Sequence, residues 1–240
     1  MGRTAPVRVG DGDGISRPYK DIWKSERLAY RAMENTDQEK AWYRAIMDDP
    51  VIAAQASGGL LRPVPPEEHN TAFEDSRKGM LSVVICLRPN EEAKHQAVQV
   101  GSAPADAADG GSGGDGKVQK DPPPTPVGYV ALDVHPEMTH HRSCTLAIIV
   151  APAFQNRGYG TEAIEWALDW AFRYGNAHAV RLGVFSYNVG AVRLYERLGF
   201  VREGCRREAV WFDRAWHDSL LYGMLESEWE TRKGPAASSR

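Results

Sequence analysis

A short glycine-containing turn at residues 155–161 (QNRGYGT) joins an apolar strand to an amphipathic helix. Glycine has no Cβ, so backbone N–H groups beside it can approach a ligand closely. The first N–H groups of a helix have no partner within the helix, and the helix dipole favours negative charge at that end. The turn therefore predicts an anion site, and a diphosphate is its natural occupant.

This turn is a weak signal by itself, because 23 glycines in 240 residues make a Gly-x-Gly pair common by chance. Glycines that only permit close helix packing are an alternative explanation. A Walker A loop needs Lys and Ser or Thr after its last glycine, whereas Thr161 and Glu162 follow Gly160. A dinucleotide fingerprint needs a third glycine where Ala163 stands. A nucleotide-binding protein is therefore disfavoured.

A second motif follows about 30 residues later, where a strand ends and Asn188 precedes the segment VGAVRLYERLGF. Asn188 is of a type that caps helices. Tyr195 shares a helix face with Val192 and Leu198, so it is equally suited to a core position, where its hydroxyl would still need a partner. Each residue thus has a structural role available beside a functional one.

Taken together, QNRGYGT and NVGAVRLYERLGF, in this order and spacing, resemble the GNAT superfamily of N-acetyltransferases. The resemblance covers Val127 to Leu225, and RREAVWFDRAWHDSLLYGML is similar to the branch with the ribosomal-protein N-terminal and small-amine acetyltransferases. It implies an α/β (α+β) fold with a mixed, mostly antiparallel central sheet, splayed central strands and flanking helices. It also implies that an acetyl group passes from acetyl-CoA (coenzyme A) to a primary amine by direct attack in a ternary complex.

The resemblance further implies roles for individual residues. The pantetheine arm would lie between the strands that end at Val150 and near Phe185, and a backbone N–H near Ile149 or Val150 would stabilise the oxyanion. Tyr195 would act as the general acid that protonates the departing thiolate. Arg157 would contact a phosphate, although a solvated arginine is an equal alternative. The expected cofactor-binding residues are Ile148, Ile149, Val150, Gln155, Asn156, Arg157, Gly158, Tyr159, Gly160, Thr161 and Asn188.

The general base and the acceptor are less defined. The candidates for the base are Asp133, His135, Glu137, His140 and His141. This cluster is more typical of a solvated turn than of a metal site, so no metal is expected. Trp23, Trp211 and Trp216 either line an apolar acceptor pocket or belong to the core. The expected acceptor is a small-molecule amine or a protein N-terminus, and a homodimer is left open.

Apolar periodicity predicts the elements that position these groups. Thr36 is the predicted N-cap of a helix that ends before Pro50, with Glu39 completing a capping box. Further helices are predicted at 66–78, 158–174 and 189–198. Strands are predicted within 21–30 and at 80–87, 127–134, 143–150, 180–187, 200–212 and 217–225.

These elements form one predicted acetyltransferase domain at 19–230, between a flexible N-terminal tail at 1–18 and a flexible C-terminal tail at 231–240. Residues 99–126 are rich in Gly, Ala, Asp and Pro and predict a flexible surface insertion between two strands. A functional lid is the less favoured interpretation.

The composition of the chain limits the kinds of partner and compartment that are expected for the protein. A formal net charge of −3 indicates no nucleic-acid binding. The three cysteines form no CxxC pair, and no secretory signal or membrane-length apolar run is present. The default location is cytoplasmic, with the nucleus left open. The alternative function is a non-catalytic acyl-CoA-binding or sensor protein of the same fold, against which the intact motifs argue.

Overall fold

The computed structural model describes residues 21–100 and 124–234, and within them one seven-stranded sheet has the order β1-β2-β3-β4-β5-β7-β6. Neighbouring strands pair antiparallel except β4 and β5, which pair in parallel. The predicted mixed, mostly antiparallel sheet is confirmed. The strands are β1 (Leu28–Ala32), β2 (Leu81–Leu87), β3 (Pro126–Asp133), β4 (Ser143–Val150), β5 (Ala179–Phe185), β6 (Val201–Phe212) and β7 (Ala215–Leu225).

Helices cover both faces of the sheet. Two short 3₁₀ segments, Pro136–His141 and Pro152–Phe154, flank β4. The α-helices in the described ranges are α1 (Asp37–Met47), α2 (Pro50–Ala56), α3 (Pro66–Ser76), α4 (Pro89–Val100), α5 (Tyr159–Arg173), α6 (Val189–Arg197) and α7 (Glu226–Lys233).

Strand alternation divides the core into two layers. Leu146 of β4 points into a layer that contains the apolar faces of α5 and α6. Ile149, on the opposite face of the same strand, joins Tyr43, Ile52 and Phe73 from α1, α2 and α3. Successive side chains of a strand point to opposite faces, so one strand supplies both layers. The functional consequence is that α5 and α2 approach β4 from opposite sides.

Most predicted boundaries agree with the observed ones to within two residues. The first strand is the exception, because β1 begins only at Leu28. Helix α2 was not predicted, since Pro50 was interpreted as a helix end. Pro50 is also the first residue of the next helix, and the Asp49 side chain caps it by accepting from the N–H groups of Val51 and Ile52, both at 3.0 Å.

The edges of the predicted flexible segments belong to regular elements. Helix α4 continues through Val100, and β3 begins at Pro126. Helix α7 continues through Lys233, beyond the predicted start of the C-terminal tail at residue 231. The remaining residues of the two tails and of the insertion (1–18, 101–123 and 235–240) lie outside the described residues.

The predicted capping box is half correct. Thr36 caps α1, since its Oγ1 accepts from the Glu39 N–H at 3.2 Å. The buried Glu39 carboxylate does not return to Thr36. It accepts instead from the Glu34 N–H and, at 2.6 Å, from Arg31 Nη1. The guanidinium of Arg31 on β1 is a stronger partner for the buried Glu39 carboxylate than the backbone N–H of Thr36 would be.

No helix within the described ranges is long and apolar enough to cross a membrane.

Candidate active site

The parallel strands β4 and β5 separate after a short contact. They pair only at Ser143–Ala179, Cys144–Val180 and Thr145–Arg181, although both strands continue beyond these positions. The gap between them opens into a cleft of about 900 Å³. This volume is at the upper end of the range for small-molecule sites. The structure thus shows the splayed central strands that the resemblance implied.

Strand β4 presents unpaired amides to this cleft. In an antiparallel pair, the N–H and C=O groups of alternate residues point towards the partner strand. Ala151 donates to Val127 O at 2.8 Å, so Ile149 in the same alternation also faces β3. Ile148 and Val150 therefore direct their N–H groups into the gap. Of the two residues near which an oxyanion donor is predicted, Ile149 and Val150, only Val150 directs its N–H to this side, because β3 already occupies the other side of the strand.

The turn at 155–161 presents a second set of amides. None of the N–H groups of residues 156–161 donates a hydrogen bond to any group of the described residues. Asn156 and Gly158 have positive φ angles of 59° and 82°. Such left-handed residues turn successive N–H groups towards a common centre, which suits an anion. The Gln155 side chain anchors the turn to the strand by donating to Val150 O at 2.9 Å.

Helix α6 contributes Asn188 and Tyr195 to the cleft. Asn188 caps the helix by accepting from the Ala191 N–H at 3.2 Å, so its structural role is observed. Tyr195 is 9% exposed and packs edge-to-face on Phe200, with ring centroids 5.8 Å apart. Its hydroxyl has no hydrogen-bond partner among the described residues, and burial raises the pKa of Tyr195 to about 12. The side chain is therefore protonated at neutral pH and faces a cavity.

The cleft brings together nearly all the residues that the two motifs nominated. Both motifs lie on the α5 and α6 side of the gap, as their spacing around one strand implied. The lining includes Ile148, Ile149, Val150, Gln155, Asn156, Gly158, Tyr159, Gly160, Thr161, Asn188 and Tyr195. Two of these residues contribute little side chain: Ile149 packs in the core, and Tyr159 is buried and donates to Glu91 Oε1 at 3.0 Å. Arg157 is exposed and does not line the cleft.

None of the five candidates for the general base lines the cleft. β3 and β4 are antiparallel, so the segment that connects them lies at the Ser143 end of β4. Seven residues of strand separate this end from Val150, a distance of about 23 Å. His140 and His141 are exposed in that segment. Among the described residues, no group of three or more His, Cys, Asp or Glu side chains is arranged to hold a metal ion.

The three tryptophans do not form an acceptor pocket either. Trp211 and Trp216 pack on each other at the tip of the β6–β7 hairpin, each 58% exposed, so they do not belong to the core. Trp23 is 47% exposed and lies beside Trp166 of α5.

Three further parts of the cleft wall were not predicted from the sequence. Helix α2 contributes Ile52, Gln55 and Ala56, and the sheet contributes Tyr129. Tyr187 completes this wall and donates a hydrogen bond to Ala54 O, which ties the turn after β5 to α2. A short helix packed against a turn 133 residues away leaves no local signal.

Gly183 also lines the cleft without having been predicted, although its place in an apolar strand could have indicated it. It interrupts the apolar, β-branched strand β5, and an isolated glycine in a strand often marks a close approach of a ligand or another backbone. A Cβ added at Gly183 would have no atom within 4 Å, and the residue lines the cleft.

Comparisons with known proteins agree with this geometry. Residues 106–200 match the profile of the Acetyltransferase (GNAT) family. Spermidine N(1)-acetyltransferase of Vibrio cholerae is 37% identical over 92 residues, which are 38% of this chain and 53% of that protein. The [ribosomal protein uS5]-alanine N-acetyltransferase of Escherichia coli is 25% identical over 87 residues, 36% of this chain and 45% of that enzyme. The chain thus spans about half the length of the curated relatives it matches.

Solved structures extend the likeness to the fold as a whole. A crystal structure of spermidine N-acetyltransferase from Vibrio cholerae in complex with CoA and spermine superimposes with a TM-score of 0.59 at 21% identity. The match covers 84% of this chain and 97% of that one. A GNAT-family acetyltransferase from Bacillus anthracis gives the same TM-score of 0.59 at 16% identity, covering 85% and 98% of the two chains. These solved structures thus show that the chain has the same fold, and the match of residues 106–200 indicates a GNAT acetyltransferase domain in that part of the chain.

Proposed function

We propose that this protein is an N-acetyltransferase that moves an acetyl group from acetyl-CoA to a primary amine within a ternary complex. One observation carries the proposal. The N–H groups of residues 156–161 have no partner among the described residues, five of these six residues line the cleft between two splayed strands, and so does Tyr195 with its partnerless hydroxyl. An anion site and a neutral proton donor in one cleft suit a long, phosphorylated thioester.

The residues present fit coenzyme A. The amides of residues 156–161 would hold the diphosphate, supported by the dipole of α5. One of the two N–H groups of Ile148 and Val150 would bond an amide carbonyl of the pantetheine arm. Asn188 and Gly160 border the same path. Bound acetyl-CoA supplies an activated thioester, and the protein supplies position and charge.

The proposed chemistry then uses few groups. An outward-facing amide of β4, from Ile148 or Val150, stabilises the oxyanion that develops when the amine attacks the carbonyl. Tyr195 donates its phenolic proton to the departing thiolate, and the raised pKa ensures that this proton is present at neutral pH. Attack by the neutral amine forms the new C–N bond, and collapse of the tetrahedral intermediate breaks the C–S bond. The proton released by the amine nitrogen passes to water, and the Tyr195 phenolate takes a proton back from water.

The acceptor would approach from the α2 side of the sheet. The wall there is formed by Ile52, Ala56, Tyr129 and Tyr187. Ile52 and Tyr129 are buried side chains of the second core layer. Because this wall is apolar and aromatic apart from Gln55, it favours an amine attached to an apolar or aromatic body.

The test starts with calorimetry, in which acetyl-CoA is titrated into the protein, followed by mass spectrometry of amines incubated with both. The panel contains an arylalkylamine, spermidine, and a peptide with a free N-terminal alanine. Saturable binding and acetylation of at least one amine support the proposal, and the arylalkylamine is expected to react fastest. Absence of cofactor binding would falsify it. Binding without transfer to any amine would instead support the alternative, a non-catalytic acyl-CoA-binding or sensor protein.

Initial-rate kinetics test the ternary complex. Direct attack predicts intersecting double-reciprocal lines when both substrates are varied. Parallel lines, together with an acetylated protein isolated in the absence of amine, would indicate a covalent enzyme intermediate instead.

A further inference from the structure

The segment that precedes β1 is bound to the start of α5, far away in sequence. Glu162, in the first turn of α5, accepts three hydrogen bonds from this segment. Its Oε1 accepts from Ser25 Oγ at 2.6 Å and from the Arg27 N–H at 2.7 Å, and its Oε2 accepts from Arg27 Nε at 2.7 Å. The Glu162 side chain is only 14% exposed, so these bonds are largely shielded from water. Residues 25–27 are called the strap below.

The strap continues into the turn through the guanidinium of Arg27. Arg27 Nη1 donates to the backbone carbonyl of Arg157 at 2.9 Å. The guanidinium also lies over the ring of Tyr159, 4.9 Å from its centroid. A Cβ added to Gly158 would lie 3.1 Å from Arg27 Nη2, so the guanidinium is packed directly against the turn. Glu162 thus positions Arg27, and Arg27 contacts three consecutive residues of the turn.

The contact with the Arg157 carbonyl determines where the next amide points. In a planar trans peptide, the C=O of one residue and the N–H of the following residue point in opposite directions. Arg27 holds the Arg157 carbonyl on the strap side, so the Gly158 N–H points away from the strap. This N–H has no partner among the described residues, and Gly158 lines the cleft. Without Arg27 the peptide could rotate, since Gly158 has great conformational freedom.

We propose that Arg27 is a positioning residue for the diphosphate site: held by Glu162, it fixes the peptide between Arg157 and Gly158 so that the Gly158 N–H faces the diphosphate. The inference rests on the proposed function, because it assigns the diphosphate of coenzyme A to residues 156–161. It adds a residue outside both motifs, 130 positions before the carbonyl that it orients.

The experiment measures CoA affinity by calorimetry for Arg27→Ala and for a matched control, Arg88→Ala. Arg88 binds the same region through Ser25 O at 2.8 Å and Glu26 O at 3.2 Å, but it has no contact with residues 155–161. We expect Arg27→Ala to weaken CoA binding on the order of tenfold, about the effect of losing one hydrogen bond to a charged group. Arg88→Ala is expected to stay within about twofold of wild type. Glu162→Gln serves as a second variant, because it keeps one acceptor oxygen but replaces the other, and the charge that holds Arg27, with an amide group; it is expected to weaken CoA binding in the same direction as Arg27→Ala.

A second readout separates positioning from general destabilisation. S-acetylpantetheine lacks the diphosphate, so its KM is expected to be unchanged in Arg27→Ala, while the KM for acetyl-CoA rises. A merely structural role would raise both. Arg27→Lys keeps the charge but lacks the planar guanidinium that binds Glu162 and Arg157 together, so it is expected to restore little of the affinity.

The outcomes distinguish this inference from the proposed function. If wild type binds no CoA, the proposed function fails, and the inference fails with it. If wild type binds CoA and Arg27→Ala binds equally well, only the inference is overturned. Full rescue by Arg27→Lys, or equal KM increases for both thioesters, would also overturn it.

Discussion

The substitution Tyr195→Phe separates the catalytic role of the tyrosine from its structural one. The side chain is 9% exposed and packs on Phe200, and its hydroxyl lacks a protein partner among the described residues. Phenylalanine keeps the ring and its contacts and removes only the oxygen. The change therefore deletes the proposed proton donor while leaving the packing intact.

The expected effects on rate and stability have opposite signs. Loss of a general acid typically lowers turnover by about 10²- to 10⁴-fold, and a hundredfold loss corresponds to about 2.7 kcal/mol of activation free energy. A buried hydroxyl without a partner costs about 1–3 kcal/mol of folding free energy. The free energy of unfolding of Tyr195→Phe is thus expected to equal or exceed that of wild type. A variant that is slower and no less stable cannot be explained by partial unfolding.

The assay follows loss of thioester absorbance in initial-rate measurements with saturating amine, next to chemical denaturation of each protein. Tyr222→Phe is the matched control. It removes another phenolic oxygen, which donates to Glu196 Oε1 at 2.9 Å outside the cleft, and its turnover is expected to be unchanged. A second acetyl donor with an acidic thiophenol leaving group sharpens the test. Such a thiolate needs little protonation, so the loss of rate in Tyr195→Phe should shrink for this donor.

Two results would refute the reasoning. Turnover of Tyr195→Phe within about threefold of wild type would remove Tyr195 from the mechanism, because a general acid contributes far more than that. An equal loss of rate for both donors would show that the hydroxyl acts on a step other than departure of the thiolate.

Three other predictions concern the same cleft and the core behind it. A general acid must be protonated, and burial raises the pKa of Tyr195 to about 12. In a pH–rate profile, activity should therefore not decline between pH 7 and 10 through ionisation of Tyr195. A descending limb near pH 10 that disappears in Tyr195→Phe would contradict this prediction. Gly183→Val should raise the KM for acetyl-CoA at least about tenfold with little change in melting temperature, since the added side chain enters open space in the cleft. Binding isotherms check the affinity, and thermal melts check the melting temperature. Unchanged affinity would place the thioester elsewhere. In native protein a thiol reagent should modify Cys205 alone, because Cys205 is exposed, whereas Cys86 and Cys144 are buried. Burial also raises the pKa of both buried thiols to about 11. Peptide mapping that finds either buried thiol modified at the same rate as Cys205 would refute the packing of the core around it.

Much of the candidate site could be predicted because its signals are local. The capping contacts of Asn188 and Thr36 span three residues along the chain. Gln155 reaches back five residues to Val150, which a strand-turn-helix pattern already brings close. Such contacts depend on backbone geometry over one or two turns, and residue type at fixed spacing encodes that geometry.

The predicted residues that the structure does not place in the cleft have a common origin: the sequence does not show in which direction each strand runs within the sheet. His140 and His141 lie close in sequence to Val150, yet the direction of β4 places them at the opposite end of the strand. The sequence could not separate Ile149 from Val150 as the oxyanion donor for a similar reason, since the side of β4 that β3 occupies decides which amides remain free. Spacing along a chain gives distance but no direction until the strand order of the sheet is known.

By itself, the sequence determined the glycine turn before α5, the Asn188 cap of α6 and the mixed sheet, because each follows from short-range chemistry or from the pattern of two motifs. Only the tertiary structure decided that α2 and Tyr187 form one wall of the cleft and that Arg27 contacts the turn. These contacts join residues more than 100 positions apart. They arise from packing of a whole sheet between two helical layers, and no local preference of Arg27 or Tyr187 specifies that arrangement.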